Sequence, residues 1–284
     1  MGHRANLILV ENKTPKIYSD HWDGQKTPNL LAQGLVYCEN HFKGLKEDGY
    51  LMDNVWAEGG ILIDKDKQNV LFFNVEFLES VALQNAFINY LEQNIWINWT
   101  IKWAFRGNVD FAEYLNLMDD HILADGSKPN FHNLKDSSIL KLREEDSTFA
   151  ALSLITIVEK DLVKDFVLLG DSTEVNYCLA RGIALKDYLS QAFETVAPEK
   201  IKESEIEDIL LVDYHNKAIF VCWVYDTDDR HLSAIKDIWP GWDCKRQTKG
   251  VSFNFEYTQR EKSYLKITAQ EFKEYLNKWK LLAY

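Results

Sequence analysis

The chain predicts an α+β fold built of two tandem ββαββαβ-type repeats, with antiparallel sheets and helices on one face of each. Three observations predict it. A tryptophan motif occurs twice: Ile95-Trp96-Ile97-Asn98-Trp99-Thr100-Ile101-Lys102 runs on to Gly107, and Ile238-Trp239-Pro240-Gly241-Trp242-Asp243-Cys244-Lys245 runs on to Gly250. Three further matches precede it in the same order and at nearly constant spacing: Val10-Glu11 with Val158-Glu159, Leu31 to Leu35 with Leu179 to Ile183, and Leu62-Ile63-Asp64 with Leu211-Val212-Asp213. Ordered matches of this kind are the mark of an internal repeat. Within each copy, paired apolar runs joined by polar turns alternate with single helical periods, which reads as hairpins interleaved with helices.

The elements follow in order. Ala5 to Glu11 reads as a strand, Asn12 to Pro15 as a turn, and Ile17-Tyr18 as the start of the returning strand. Asp20-His21-Trp22-Asp23-Gly24 is a loop. Thr27-Pro28 opens a helix, proline being suited to a first turn, and Leu31, Leu35, Cys38 and Phe42 fall on its apolar face. Val55 to Gly60 leads into the strand Ile61-Leu62-Ile63, Asp64 to Asn69 forms a polar turn, and Val70 to Phe73 is the partner strand. A helix over 81–94 and a strand from Thr100 to Phe105 complete the first repeat, residues 1–107.

Residues 108–150 read as a polar connector with a short helix near Ala112 to Met118. Residues 151–284 hold the second repeat, extended by a strand of alternating Val251, Phe253, Phe255 and Tyr257 and by a final helix. A capping box, Thr268-Ala269-Gln270-Glu271, starts that helix, and Phe272, Tyr275, Leu276, Trp279 and Leu282 form its buried face.

Composition narrows the function classes. With 46% hydrophobic and 27% charged residues the chain has material for a sizeable core. The four cysteines are scattered among apolar neighbours and read as buried free thiols. A formal charge of −12 argues against nucleic acid or an anionic membrane as a direct ligand, and it is compatible with a basic protein partner. The first apolar run, Leu7 to Val10, is too short for the core of a signal peptide, and no run has transmembrane length. A cytoplasmic location is the expectation.

Candidate sites come from where the two copies differ. Only the first copy has the loop residues Asp20, His21 and Trp22 and, at the second loop, Trp56; His21 and Trp22 correspond to Leu169 and Gly170, and Trp56 to Glu205. Glu58 is matched by Glu207. If the two loops meet, an acid–base pair of His21 with Glu58 or Asp20 lies beside two indoles. The competing reading gives these side chains to loop hydrogen bonds and the core edge. In the second copy, Glu203, Glu205, Glu207 and Asp208 precede one strand and Asp226, Asp228 and Asp229 follow its partner. Together they would form a negative patch for a basic partner, or else a solvated edge. No metal or cofactor is expected. Asp64-x-Asp66-x-x-Asn69 lacks the glycine and distal glutamate of a calcium loop, and neither GxGxxG nor GxSxG occurs.

The N-terminal half, over about residues 1–107, also carries Met1 to Asn6 (Met-Gly-His-Arg-Ala-Asn), Tyr18 to Trp22, Val55 to Gly60 and Trp96 to Trp99. In these segments it resembles a family of uncharacterised bacterial proteins with a Met-Gly-x-Arg-Ala-Asn start, a His-Trp loop, a Trp-Ala-Glu-Gly-Gly strand entrance and a Trp-x-x-Trp segment. The chain departs from that pattern by inserting Asp20 before His21 and by having Ile97-Asn98 in place of Pro-Gly, a form that Pro240-Gly241 keeps. The resemblance implies which loops matter and brings no chemistry. The function expected from the sequence is non-enzymatic protein binding, most specifically an acidic immunity protein that neutralises a bacterial toxin by direct contact. The alternative is a small-ligand-binding protein or hydrolase-like enzyme using His21 and Glu58.

Overall fold

The computed structural model describes residues 2–53, 56–117, 152–169, 172–223, 230–260 and 264–278. The first unit contains β1 (Arg4–Glu11), β2 (Thr14–Asp20), α1 (Thr27–Ala32), α2 (Leu35–Lys43), β3 (Ala57–Asp64), β4 (Asn69–Asn74), α3 (Val81–Asn94), β5 (Thr100–Trp103) and α4 (Asn108–Leu115). The second repeats that order with β6 (Leu152–Glu159), β7 (Leu162–Leu169), α5 (Ser172–Ala180), α6 (Leu185–Ala192), β8 (Ile206–Asp213), β9 (Ala218–Cys222), α7 (Arg230–Ile238), β10 (Asp243–Arg246) and α8 (Val251–Tyr257), and α9 (Ala269–Lys278) closes the chain. The fold is therefore α+β in two tandem, similar units. Each holds one open five-stranded sheet, ordered β2-β1-β3-β4-β5 and β7-β6-β8-β9-β10.

Two details differ from the sequence expectation. The hairpins are antiparallel, but β1 pairs β3 and β4 pairs β5 in parallel, so each sheet is mixed. Helices also cover both faces. Phe72 on β4 packs edge-on to Phe87 of α3, whereas its neighbour Phe73 meets Phe111 of α4 on the opposite face. Gly60 of β3 lies directly under Phe111, leaving no room for a side chain. Burial on both faces is why Leu7 to Val10, Ile61 to Ile63 and Val70 to Phe73 are continuous apolar runs rather than alternating ones.

Helix boundaries moved in three places. The helix expected from Thr27 is broken at Gln33-Gly34 into α1 and α2. The helix near Ala112 instead spans Asn108–Leu115 and packs Val109, Phe111 and Ala112 into the first core. The segment after Gly250, read as a strand, is helix α8, the counterpart of α4. Gly107 and Gly250 precede these helices with φ of 57° and 63°, backbone that disfavours any side chain.

Polar contacts repeat between the copies. Tyr114 on α4 donates its hydroxyl to Asp64 Oδ2 at 2.7 Å, and Tyr257 on α8 donates to Asp213 Oδ2 at 2.8 Å. Asp64 Oδ1 accepts from the amides of Asp66 and Lys67, and Asp213 Oδ1 from those of His215 and Asn216. Asp66 turns the other way and accepts from the amides of Asn12 and Lys13. The carboxylates of Asp64-x-Asp66 thus close two neighbouring hairpin turns.

The units pack together. Val81 of α3 joins a cluster with Leu152, Ile206, Val251 and Phe255, and α9 crosses back to bury Leu276 in the first core. Tyr275 on α9 accepts the Leu78 amide at 2.6 Å. The capping box of α9 forms as expected, the Thr268 amide donating to Glu271 and the Glu271 amide to Thr268. Trp279 and Leu282, and most of the connector over 108–150, lie outside the described residues. All four cysteines are free and buried. Burial pushes the Cys38 and Cys222 thiols up to about 12 and that of Cys244 up to about 11, which suits packing rather than nucleophilic chemistry.

Candidate functional site

The two loops singled out in the first copy do meet. At the start of the parallel β1–β3 pair, Arg4 faces Ala57 and Ala5 faces Gly59, so Glu58 is an extra residue bulged out of the ladder. A bulge re-aims the side chain it carries. The second copy keeps the bulge: Leu152 faces Ile206, Ser153 faces Asp208, and Glu207 is extra. In the first copy a loop is laid over the bulge: the Gly24 amide donates to the His3 carbonyl at 2.7 Å, and a Cβ on Gly59 would stand 2.3 Å from the Gly24 carbonyl oxygen. Two glycines let the backbone of the 20–24 loop rest on the mouth of β3.

Three side chains converge there. His3 Nδ1 lies 2.6 Å from Glu58 Oε2 and 3.1 Å from Glu76 Oε1. Gln25 donates to the other oxygen of Glu76, and Asn74 Oδ1 accepts the Glu76 amide at 2.9 Å. The Asn74 side chain also donates to the Gly24 carbonyl, tying the turn after β4 to the 20–24 loop. The pairing of His21 with Glu58 expected from the sequence is replaced: Glu58 is taken by His3, and His21 Nδ1 accepts from Arg4 Nε at 3.3 Å. Asp20 turns back on its own loop and accepts the Trp22 amide at 2.6 Å. Asp23, almost fully buried, anchors the loop through His41 at 2.5 Å and Lys26 at 3.0 Å.

Beside this cluster lies an apolar groove of about 350 Å³ lined by Arg4, Tyr50, Leu51, Met52, Asp53 and Trp56. The Arg4 guanidinium sits 4.8 Å from the centre of the Trp56 ring, a cation–π contact that links one loop to the other. Buried Asn6 holds the groove's floor, donating to the Met52 carbonyl and to Asn108 Oδ1 and accepting the Met52 amide. The groove's aromatic residues stay in solvent, Trp56 being 56% and Tyr50 60% exposed, and so does Trp22 of the 20–24 loop at 59%.

Among the described residues, the acids of the second copy make contacts within the fold. Asp208 is buried, Glu203 accepts the Ile267 amide at 2.9 Å, and Glu205 pairs with Lys202 at 3.2 Å, which also reaches Glu271 of α9. Glu203 and the Lys202–Glu205 pair therefore sit where the 264–271 segment docks. Glu207 is half-buried on its bulge. Asp226, Asp228 and Asp229 lie outside the described residues.

No sequence spacing links His3, Glu76 and Gln25. The signal available was the Met-Gly-His-Arg-Ala-Asn start, whose Arg4 and Asn6 both work at this corner. No protein-family model, no curated protein and no solved structure matches the chain. No helix among the described residues is long and apolar enough to cross a membrane.

Proposed function

We propose that the protein is a non-enzymatic, cytoplasmic binding module that takes a basic protein partner, in the manner of an immunity protein that neutralises a bacterial toxin. The observation that carries this reading is the aromatic corner of the first unit. Trp22, Trp56 and Tyr50 are each more than half exposed; Trp56 and Tyr50 line an apolar groove with Arg4, and Trp22 follows His21, which Arg4 contacts. Trp, Tyr and Arg are the residue types that dominate interface hot spots. Large side chains are left in solvent at a place where the backbone is tightly fixed, which suits a pre-formed binding surface. The net charge of −12 supports steering toward a cationic partner. Glu205, Glu207 and Asp228 are the acids whose reversal tests that steering.

The test is coexpression with the product of the adjacent gene. Lethality of that product alone, rescue by this chain, and loss of rescue in Trp22→Ala/Trp56→Ala support the reading. Lack of protection together with lack of complex formation sinks it. The groove itself favours a second reading, a small apolar ligand held against Trp56 and Met52. That reading expects Trp56 fluorescence to respond to a ligand with no protein partner present.

A further inference from the structure

We propose that His3, Glu58 and Glu76 form a binding site for a divalent transition-metal ion of the zinc class. This stands apart from the partner-binding reading, which uses the neighbouring aromatic residues.

The three donors come from separate segments: the N-terminal arm, the bulge of β3 and the turn after β4. Their ligand atoms lie within 4.8 Å of one another. The arrangement is poorly satisfied by protons alone. Two carboxylate oxygens approach the same imidazole nitrogen, at 2.6 and 3.1 Å, and Nδ1 carries at most one hydrogen. One N–H is thus shared by two acceptors of like charge, which repel each other. A divalent cation brings two positive charges to that point and takes all three donors at once. Small side-chain rotations suffice for bonds of about 2.0–2.2 Å.

The surroundings are those of a held site. Gln25 fixes the outer oxygen of Glu76, Asn74 fixes its backbone, and the His3 carbonyl is clamped by the Gly24 amide. Supporting hydrogen bonds of this kind orient ligands. His3, Glu58 and Glu76 are each about a third exposed, so the outer side is open to water as a fourth ligand. One imidazole with two carboxylates favours zinc, manganese or iron(II) over magnesium and calcium, which prefer all-oxygen sets. The second copy has the bulged Glu207, but Ala151 and Tyr225 stand where sequence alignment of the copies puts His3 and Glu76. The bulge belongs to the fold, and the first copy alone has added the other two ligands.

The experiment is titration of Zn²⁺ into the tag-free full-length chain by calorimetry, with His3→Ala and Glu76→Gln as variants. Folding of each is checked by circular dichroism and by melting in chelator. One ion per native chain is expected, with affinity reduced about 10-fold or more in each variant and melting in chelator unchanged. Glu39→Gln, which removes a half-buried carboxylate away from the site that is paired with Lys43 and Lys65, is expected to bind as the native chain does. Excess Mg²⁺ is expected to leave the zinc isotherm in place. Absence of zinc binding, affinity undiminished in His3→Ala and Glu76→Gln, or displacement by Mg²⁺ would overturn the proposal.

Discussion

The indole nitrogen of Trp96 donates to the backbone carbonyl of Leu31 at 2.8 Å, and Trp239 makes the same bond to Leu179 at 2.9 Å. In each unit the segment that follows α3 or α7 is pinned to the end of α1 or α5. Helix C-termini leave carbonyls without intrahelical partners, and a buried indole N–H is one way to serve them. Trp99 and Trp242 stack edge-on against Trp96 and Trp239 at 5.1 and 4.7 Å, completing the motif. Trp96→Phe is expected to lose the bond and part of the packing, at a cost of about 2–3 kcal/mol. Trp239→Phe should cost a similar amount, both read by urea denaturation.

The exposed indoles should behave in the opposite way. Trp22→Ala and Trp56→Ala remove side chains more than half in solvent, so stability should change by less than about 0.5 kcal/mol. Binding to the partner should fall by about 10-fold or more if they are hot spots. Parallel melting and calorimetric measurements on the same variants separate the two effects, and a large loss of melting temperature would count against a binding role.

Acid sensitivity should track Tyr257. Burial of Asp213 works to raise its pKa, but bonds from the Asn216 backbone and side chain, the Tyr257 hydroxyl and the His215 amide outweigh it and hold the carboxyl below its ordinary range. A depressed pKa gives stability that is present above the unfolded-state value, about 3.9, and lost as pH falls through the folded-state value. Tyr257→Phe removes one of these donors. It should cost about 1–2 kcal/mol at neutral pH and move the acid unfolding midpoint upward. Melts taken across the acid range against the native chain check the sign.

These contacts also show how far the sequence could be read. The duplication was legible because the paired residues, Trp96 with Trp239 and Asp64 with Asp213, make the same bonds in both copies. Helix α8 was not legible alone, since its buried positions are Val251, Asn254 and Phe255. The polar Asn254, donating to Thr156 at 2.8 Å, breaks the apolar helical period and leaves an apparent strand alternation. The matching position of α4, which follows Gly107 as α8 follows Gly250, is the cue to the helix. The loops of the candidate site are marked by being unique to one copy, but His3, Glu58 and Glu76 come together through the pairing of β1 with β3 and of β3 with β4, and the β1–β3 pairing is encoded by no local pattern.

Asn6 tests whether the groove is built by that corner. Its amide serves both the Met52 backbone and Asn108, and the equivalent position of the second copy is Leu154. Asn6→Leu therefore installs the other copy's residue and leaves Asn108 and the Met52 backbone without this partner. A loss of about 2–4 kcal/mol is expected, with faster proteolysis at Tyr50 to Asp53 as the local readout.

Gly59 makes the sharpest prediction, because its space is occupied by backbone. A Cβ there would lie 2.3 Å from the Gly24 carbonyl oxygen and 3.1 Å from its Cα, so no side-chain rotation relieves the clash. The second copy carries Asp208 at this position. Gly59→Ala should push the 20–24 loop off the mouth of β3, at a cost of about 1–3 kcal/mol from overpacking. The displacement takes the Gly24 amide from the His3 carbonyl and loosens His3 against Glu58. Zinc affinity and partner binding should then fall together in Gly59→Ala. His3→Ala should affect the metal alone and Trp56→Ala the partner alone, and three titrations on these variants separate a shared scaffold from a shared site.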